Sequence, residues 1–164
     1  MIMSAPISKP TIIFGTASFG SPSISQAKFS SPSTATPILS LLQSRGYSHL
    51  DTARAYPVGA PGTSEALLGK LNAGSWATID SKVTSWAPGS HSASNIAASV
   101  AGSLEALKVP RVRIMYLHAP DRTTPFEETC RAMDAAYRSG AFERFGLSNY
   151  TAEEVQRIDR KSVV

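Results

Sequence analysis

The chain is poor in the residues that cross-link or metallate small proteins. Cys130 is the sole cysteine in 164 residues, so neither an intrachain disulfide nor a cysteine metal cluster can form. Its place in a helical pattern predicts quiet core packing. The three histidines, His49, His91 and His118, are far apart and lack a metal-ligand spacing such as HExxH, so no metal is expected. No apolar run reaches the roughly 18 residues that suggest a membrane span. The N-terminus has no charged head followed by a long apolar stretch, which argues against a secretory signal and makes the cytosol the expected compartment. Charge is modest, with 16 Lys and Arg against 12 Asp and Glu for a formal net of +4. The densest basic group, Arg157, Arg160 and Lys161, reads as a solvated helix face and not as a nucleic-acid surface. Neither a membrane nor a nucleic acid is an expected partner.

What the chain does have is a repeat. Hydrophobic residues make up 42% of the sequence, enough for a real core in one domain of this size. Apolar runs predict strands at Thr11–Gly15, Tyr47–Thr52, Trp76–Val83, Val112–Leu117 and Phe142–Leu147. Each gap holds one helical pattern. Thr36 followed by Pro37 predicts the start of a helix whose stripe is Ile38, Leu41 and Leu42. A second helix, from about Glu65 to Leu71, buries Leu67, Leu68 and Leu71. Ile96, Val100, Leu104 and Leu107 recur at helical spacing on one face. Thr124-Pro125-Phe126-Glu127 reads as a capping box, opening a helix that turns Phe126, Cys130, Met133 and Tyr137 to a core. Thr151 with Glu154 predicts a second capping box. The stretch from Ser18 to Ser33, rich in Ser and Pro, reads as a loop.

Strands alternating with single helices predict an α/β protein with a parallel sheet. The first turn carries Gly15 and Gly20 but no GxGxxG, which argues against a dinucleotide-binding open sheet. A barrel and an open doubly wound sheet both fit the strand count, and the expectation taken forward is a partial (β/α)8 barrel of about five βα units, formed as one truncated domain over residues 1–164. A complete barrel of this kind takes about 250 residues.

In such a barrel the site forms at the C-terminal ends of the strands. Asp51 ends the second strand, Tyr56 follows in the loop, Lys82 lies near the end of the third and His118 ends the fourth. An acid, a phenol, an amine and an imidazole at equivalent strand ends form a proton-donating site for a carbonyl. A free tyrosine, with a pKa near about 10, is a poor acid at neutral pH. An adjacent ammonium favours its phenolate and eases proton release. Lys82 would supply that charge, Asp51 would balance it, and a neutral His118 would hydrogen-bond to the carbonyl oxygen. No side chain here supplies hydride, so reduction calls for a nicotinamide cofactor. Singly, each residue also has an ordinary explanation: a turn acceptor, loop packing, a surface cation and a buried hydrogen-bonding group.

Longer stretches carry more. Gly46-Tyr47-Ser48-His49-Leu50-Asp51-Thr52-Ala53-Arg54-Ala55-Tyr56, Thr63-Ser64-Glu65, Asp80-Ser81-Lys82, Tyr116-Leu117-His118-Ala119-Pro120-Asp121 and Gly146-Leu147-Ser148-Asn149-Tyr150 occur in that order. With them the sequence strongly resembles the aldo-keto reductase superfamily, especially its aflatoxin-aldehyde-reductase-like branch, from Phe14 to about Ile158. The resemblance implies an oxidoreductase that reduces an aldehyde or ketone to an alcohol with NADPH. It implies that Tyr56 is the general acid, that Lys82 lowers its pKa, and that Asp51 supports Lys82 and approaches the cofactor. His118 would position the carbonyl, while Ser148 and Asn149 would bind the nicotinamide carboxamide. Trp86 fits either a pocket wall or core packing, and His91, in a Ser-rich loop, reads as solvated. The Pro57–Gly62 segment is longer than the usual link and is expected to shape the pocket mouth. Family members continue through three more strands. The alternative expectation is therefore a catalytically weak remnant, or a subunit that completes a barrel by self-association.

Overall fold

The computed structural model describes residues 10–161. Residues 1–9, on which the reading of the N-terminus rests, and residues 162–164 lie outside the described residues, as do the side chains of Arg160 and Lys161 from the basic group.

Five strands pair in parallel in the order of the chain. They are β1 (Ile13–Gly15), β2 (His49–Asp51), β3 (Thr78–Val83), β4 (Val112–Leu117) and β5 (Phe142–Leu147), alternating with α1 (Pro32–Ser44), α2 (Thr63–Lys70), α3 (Ala93–Leu107), α4 (Phe126–Arg138) and α5 (Ala152–Lys161). A doubly wound sheet reverses its strand order at a switch point. Here the order β1-β2-β3-β4-β5 never reverses. Parallel crossovers are nearly always right-handed, so steps in one direction keep every helix on one face. The contacts of α2 with α3, α3 with α4 and α4 with α5 fit that single layer. This is barrel winding.

The register aligns the strand ends. Gly15 pairs with Asp51, Asp51 with Asp80, Lys82 with Tyr116 and Tyr116 with Gly146. The core lies between the sheet and the helices. It includes Leu50, Ile79, Val83, Met115 and Leu117 from strands, with Leu68, Ile96, Val100, Leu107 and Met133 from helices. Phe126, Cys130 and Ile158 form a second cluster joining α4 to α5, so the lone cysteine does pack in a core.

Several local expectations need correction. α1 begins at Pro32, capped by Ser31 in a reciprocal box with Thr34, and Pro37 sits inside the helix. Its buried residues are consequently Ala35 and Leu39, whereas Leu41 is half exposed. Thr124 does not cap α4, because its hydroxyl donates to Asp121 Oδ2 at 2.6 Å. Tyr137 lies over Phe142, ring centroids 5.8 Å apart, but is half exposed at the end of α4. β1 is shorter than expected, and Ile12 and Ile13 are exposed because this edge strand has a neighbour on one side only. A 3-10 turn at Ala73–Ser75 delays β3 to Thr78. The Thr151–Glu154 box does form, with the two main-chain N–H groups donating reciprocally at 3.3 and 2.9 Å.

The α2–α3 contact is tight at Gly69, where an added methyl would overlap the Ala106 carbonyl oxygen. Alanine normally gains about 1 kcal/mol over glycine in a helix. Forcing atoms into a packed contact costs typically about 1–3 kcal/mol. A backbone oxygen cannot swing aside, so Gly69→Ala is expected to lower stability in urea unfolding. A midpoint equal to or above wild type would contradict this helix packing.

Candidate active site

The parallel register brings three successive strand ends together. Lys82, its side chain only 10% exposed, places Nζ 2.6 Å from Asp51 Oδ1 and 2.8 Å from the Thr52 carbonyl. The same nitrogen lies 5.1 Å from the centroid of the Tyr56 ring and 5.8 Å from that of Tyr116. The Tyr56 and His118 rings meet edge to face at 5.4 Å. Asp51, Tyr56, Lys82 and His118 are thus gathered in one place, although they lie far apart in the chain.

A second network fixes the strand that carries Lys82. Glu65, fully buried at the start of α2, accepts from Ser81 Oγ at 2.6 Å and from Arg54 Nη1 at 2.9 Å. Thr52 N–H donates to the Asp80 carbonyl at 2.9 Å and Arg54 N–H to that of Lys82 at 3.0 Å. These bonds extend the β2–β3 pairing beyond the strand end and hold the chain that leads to Tyr56. Lower on the sheet, buried Asp80 is paired by the Arg113 guanidinium and also accepts the Ile114 N–H.

Burial and the Asp51 carboxylate both raise the Tyr56 pKa above its ordinary 10.0, in that order of size. This differs from the lowering expected from Lys82. The first reason is burial, which disfavours the phenolate, and the second is Asp51, which answers the ammonium and acts on Tyr56 with the opposite sign. His118 goes the other way. Burial, then the Lys82 charge, push its pKa from 6.5 to about 4, so its imidazole is neutral near pH 7.

Ser148 and Asn149 follow β5 at the same end of the sheet. Asn149 adopts a left-handed φ of 63°, a conformation asparagine tolerates better than most residues. Its Nδ2 donates to the His118 carbonyl at 2.8 Å and to Ser148 Oγ at 3.0 Å. The Trp86 indole is 63% exposed, with its ring centroid 5.2 Å from that of His118. It stands at the site and not in the core.

Sequence reasoning missed Tyr116 and misplaced His91. Tyr116 on β4 lies two residues before His118, which follows the strand directly, and the two-residue alternation made that signal readable. Gly146, its partner on β5, leaves room for its ring, which a methyl there would overlap. His91 is fully buried, not solvated, because Asp121 Oδ2 takes its main-chain N–H at 3.1 Å and Ser85 Oγ meets its Nε2 at 2.8 Å. Those contacts come from other segments of the chain.

The histidine shift has a pH consequence. A folded-state pKa below the unfolded value means the unfolded chain takes up protons first as pH falls. The stability tied to His118 is complete above pH 6.5 and is lost as pH falls from there through about 4; His91, also held low by burial, acts in the same direction. Urea midpoints are expected to decline over that window, and less steeply in His118→Gln. Identical pH slopes for the two proteins would contradict the neutral, buried imidazole.

Comparison with known proteins agrees with the fold and the ordered motifs. The family model described as Aldo/keto reductase family matches residues 11–164. An oxidoreductase, sirO, of Leptosphaeria maculans is 40% identical, the match covering 96% of this chain and 48% of that protein. Aflatoxin B1 aldehyde reductase member 2 of Mus musculus is 36% identical, with 94% of this chain and 40% of that protein covered. A solved thermostable aldo-keto reductase, Tm1743, in complex with the inhibitor epalrestat, superposes with a TM-score of 0.72 at 28% identity. That match covers 94% of this chain and 55% of the solved one. The chain spans about half the length or less of these curated relatives. A family match over nearly the whole chain, on a singly wound parallel sheet, places this protein in the aldo/keto reductase family.

Proposed function

We propose that this chain carries the proton-donating site of an NADPH-dependent oxidoreductase that reduces an aldehyde or ketone to an alcohol. The observation that carries the reading is the convergence of Asp51, Lys82, Tyr56 and His118 around one point, with Lys82 Nζ 2.6 Å from Asp51 and 5.1 Å from the Tyr56 ring centroid. The names of the relatives, an oxidoreductase and an aflatoxin B1 aldehyde reductase, support a small carbonyl compound as the substrate class.

Each residue has a distinct task in this reading. Tyr56 is the general acid; its raised pKa keeps the phenol protonated in the free site, and the carbonyl oxygen draws that proton as negative charge builds on it. Lys82 stabilises the phenolate left behind, since an ammonium beside it favours the charged form. Asp51 holds Lys82 and neutralises the site before the reaction. Neutral His118 donates a hydrogen bond to the carbonyl oxygen. Trp86 walls the pocket beside the His118 ring.

The cofactor, NADP(H), would supply the hydride from its reduced form, NADPH, when bound. Asp51, Ser148 and Asn149 are the residues of this chain that would hold it. The donor set fits a carboxamide. Asn149 has spent Nδ2 on His118 and Ser148, which leaves its Oδ1 as an acceptor. Ser148 Oγ accepts that amide and keeps its own proton to donate. One acceptor beside one donor is the complement of a primary amide.

A second reading, a chain completed by association with another copy, is favoured by the exposure of Ile12 (42%) and Ile13 (49%) at the β1 edge. Light scattering across micromolar concentrations is expected to show association, and a monodisperse monomer would overturn it.

The chemistry is tested by NADPH oxidation with a panel of aldehydes and ketones. Tyr56→Phe is expected to reduce kcat by about 10²- to 10⁴-fold, the usual weight of a positioned general acid, with little change in NADPH affinity. Equal turnover by wild type and variant would sink the assigned role.

A further inference from the structure

At the His118 main chain lies a buried polar cluster that the proposed chemistry does not use. Ser85 Oγ accepts the main-chain N–H of His118 at 3.2 Å, lies 3.3 Å from the Val83 carbonyl, and meets His91 Nε2 at 2.8 Å. A hydroxyl has one proton to give and two lone pairs to receive. All three contacts are satisfied together when Ser85 donates to Val83 and accepts from both His118 and His91. His91 then carries its proton on Nε2. Its Nδ1 is buried without a hydrogen-bond partner, and a bare nitrogen is the less costly group to leave there than an orphaned N–H. Burial accordingly holds the His91 imidazole below its ordinary pKa of 6.5, against the opposing pull of Asp121.

Ser85, His91 and Asp121 together look like a nucleophile triad, and the geometry rules that out. Asp121 Oδ2 accepts the main-chain N–H of His91 at 3.1 Å and does not engage the ring. Asp121 is in turn fixed by the hydroxyls of Thr123 and Thr124, each at 2.6 Å. The carboxylate anchors the loop backbone, the imidazole props the serine, and the serine oxygen has no lone pair left for attack.

We propose that Ser85 and His91 are positioning residues for His118, an inference that rests on the carbonyl-reducing reading of the site. Ser85 holds the His118 peptide by its N–H, while Asn149 Nδ2 holds the same residue by its carbonyl at 2.8 Å. His118 is therefore clamped between the loop after β3 and the residue that follows Ser148 beyond β5. Ser85 is also the chain neighbour of Trp86, so one anchor sets both the His118 ring and the indole beside it. A small displacement of a group that must meet the reacting oxygen lowers the rate far more than it lowers binding. The Ser85–His91 arm acts on kcat, while Asn149, the arm that would also hold the carboxamide, stays in place.

Backbone and histidine NMR of the whole chain, with turnover measured in parallel, tests this. The variants are Ser85→Ala, His91→Leu and the conservative His91→Gln, with Ser103→Ala as a control that deletes a buried hydroxyl on α3. Ser85→Ala and His91→Leu are expected to shift the His118 amide proton upfield and speed its exchange. They should lower kcat by about tenfold at unchanged NADPH Kd. His91→Gln, whose amide still donates to Ser85, is expected to restore most of both signals, and Ser103→Ala to move neither. An unmoved His118 amide in Ser85→Ala and His91→Leu would overturn the clamp, as would a moved amide with undiminished turnover. A wild-type protein without turnover would count against the proposed reduction and remove the catalytic purpose of the clamp, whereas the amide signals decide separately whether the clamp exists.

Discussion

A buried ammonium near the end of β3 organises the strand ends of this chain. Removing a charge from water costs several kcal/mol even after the protein relaxes, so Lys82 must be answered locally. Asp51 Oδ1 and the Thr52 carbonyl answer it, at 2.6 and 2.8 Å. Both acceptors belong to the end of β2, so the charge pins β2 to β3 at the edge of the proposed pocket. The chain leaving β2 is then held by Arg54 N–H on the Lys82 carbonyl and by the Arg54–Glu65–Ser81 network. Tyr56 is placed by that route, two residues after Arg54. The aromatic rings of Tyr56 and Tyr116 lie near the remaining faces of the ammonium, where ring quadrupoles add attraction.

Much of the fold was legible because it rests on local pattern. β4 and β5 fall where their apolar runs predict, and α3 buries Ile96, Val100 and Leu107 as its spacing requires. The Thr151–Glu154 box was equally readable, since both of its bonds close within one turn. The failures share a cause, which is competition between plausible partners. Thr36-Pro37 looks like a helix start, but Ser31 with Thr34 offers a complete box one turn earlier, and Pro32 fills the first helical position. Thr124 looks like a cap until Asp121 claims its hydroxyl. Nothing in spacing alone ranks such partners.

The site divides along the same line. Asp51, Tyr56, Lys82 and His118 could be read because strand alternation and strand ends are periodic properties, and periodicity implies convergence. His91 could not. Its Ser-rich surroundings suggest solvent, and only the folded chain brings Asp121 from the β4–α4 loop onto its backbone. The Tyr56 pKa is a subtler case. The neighbours were identified, but the sign of the shift is set first by burial and then by Asp51. That is a property of distances, not of residue types.

Charge balance then limits what the pocket suits. Lys82 and Asp51 cancel, and the Lys82 charge together with burial keeps His118 neutral. Burial and Asp51 keep Tyr56 protonated. The assembled group carries no net charge while presenting two neutral rings able to donate hydrogen bonds. Among the described residues a carboxylate ligand would find Lys82 already paired with Asp51 and so less able to offset the loss of its hydration. A neutral carbonyl loses less on entering, and its oxygen gains from both donors as negative charge develops. In the proposed reduction the arrangement would favour the state in which charge is forming. The neutrality of the tyrosine–histidine pair is thus set first by burial and reinforced by the two charges beside it.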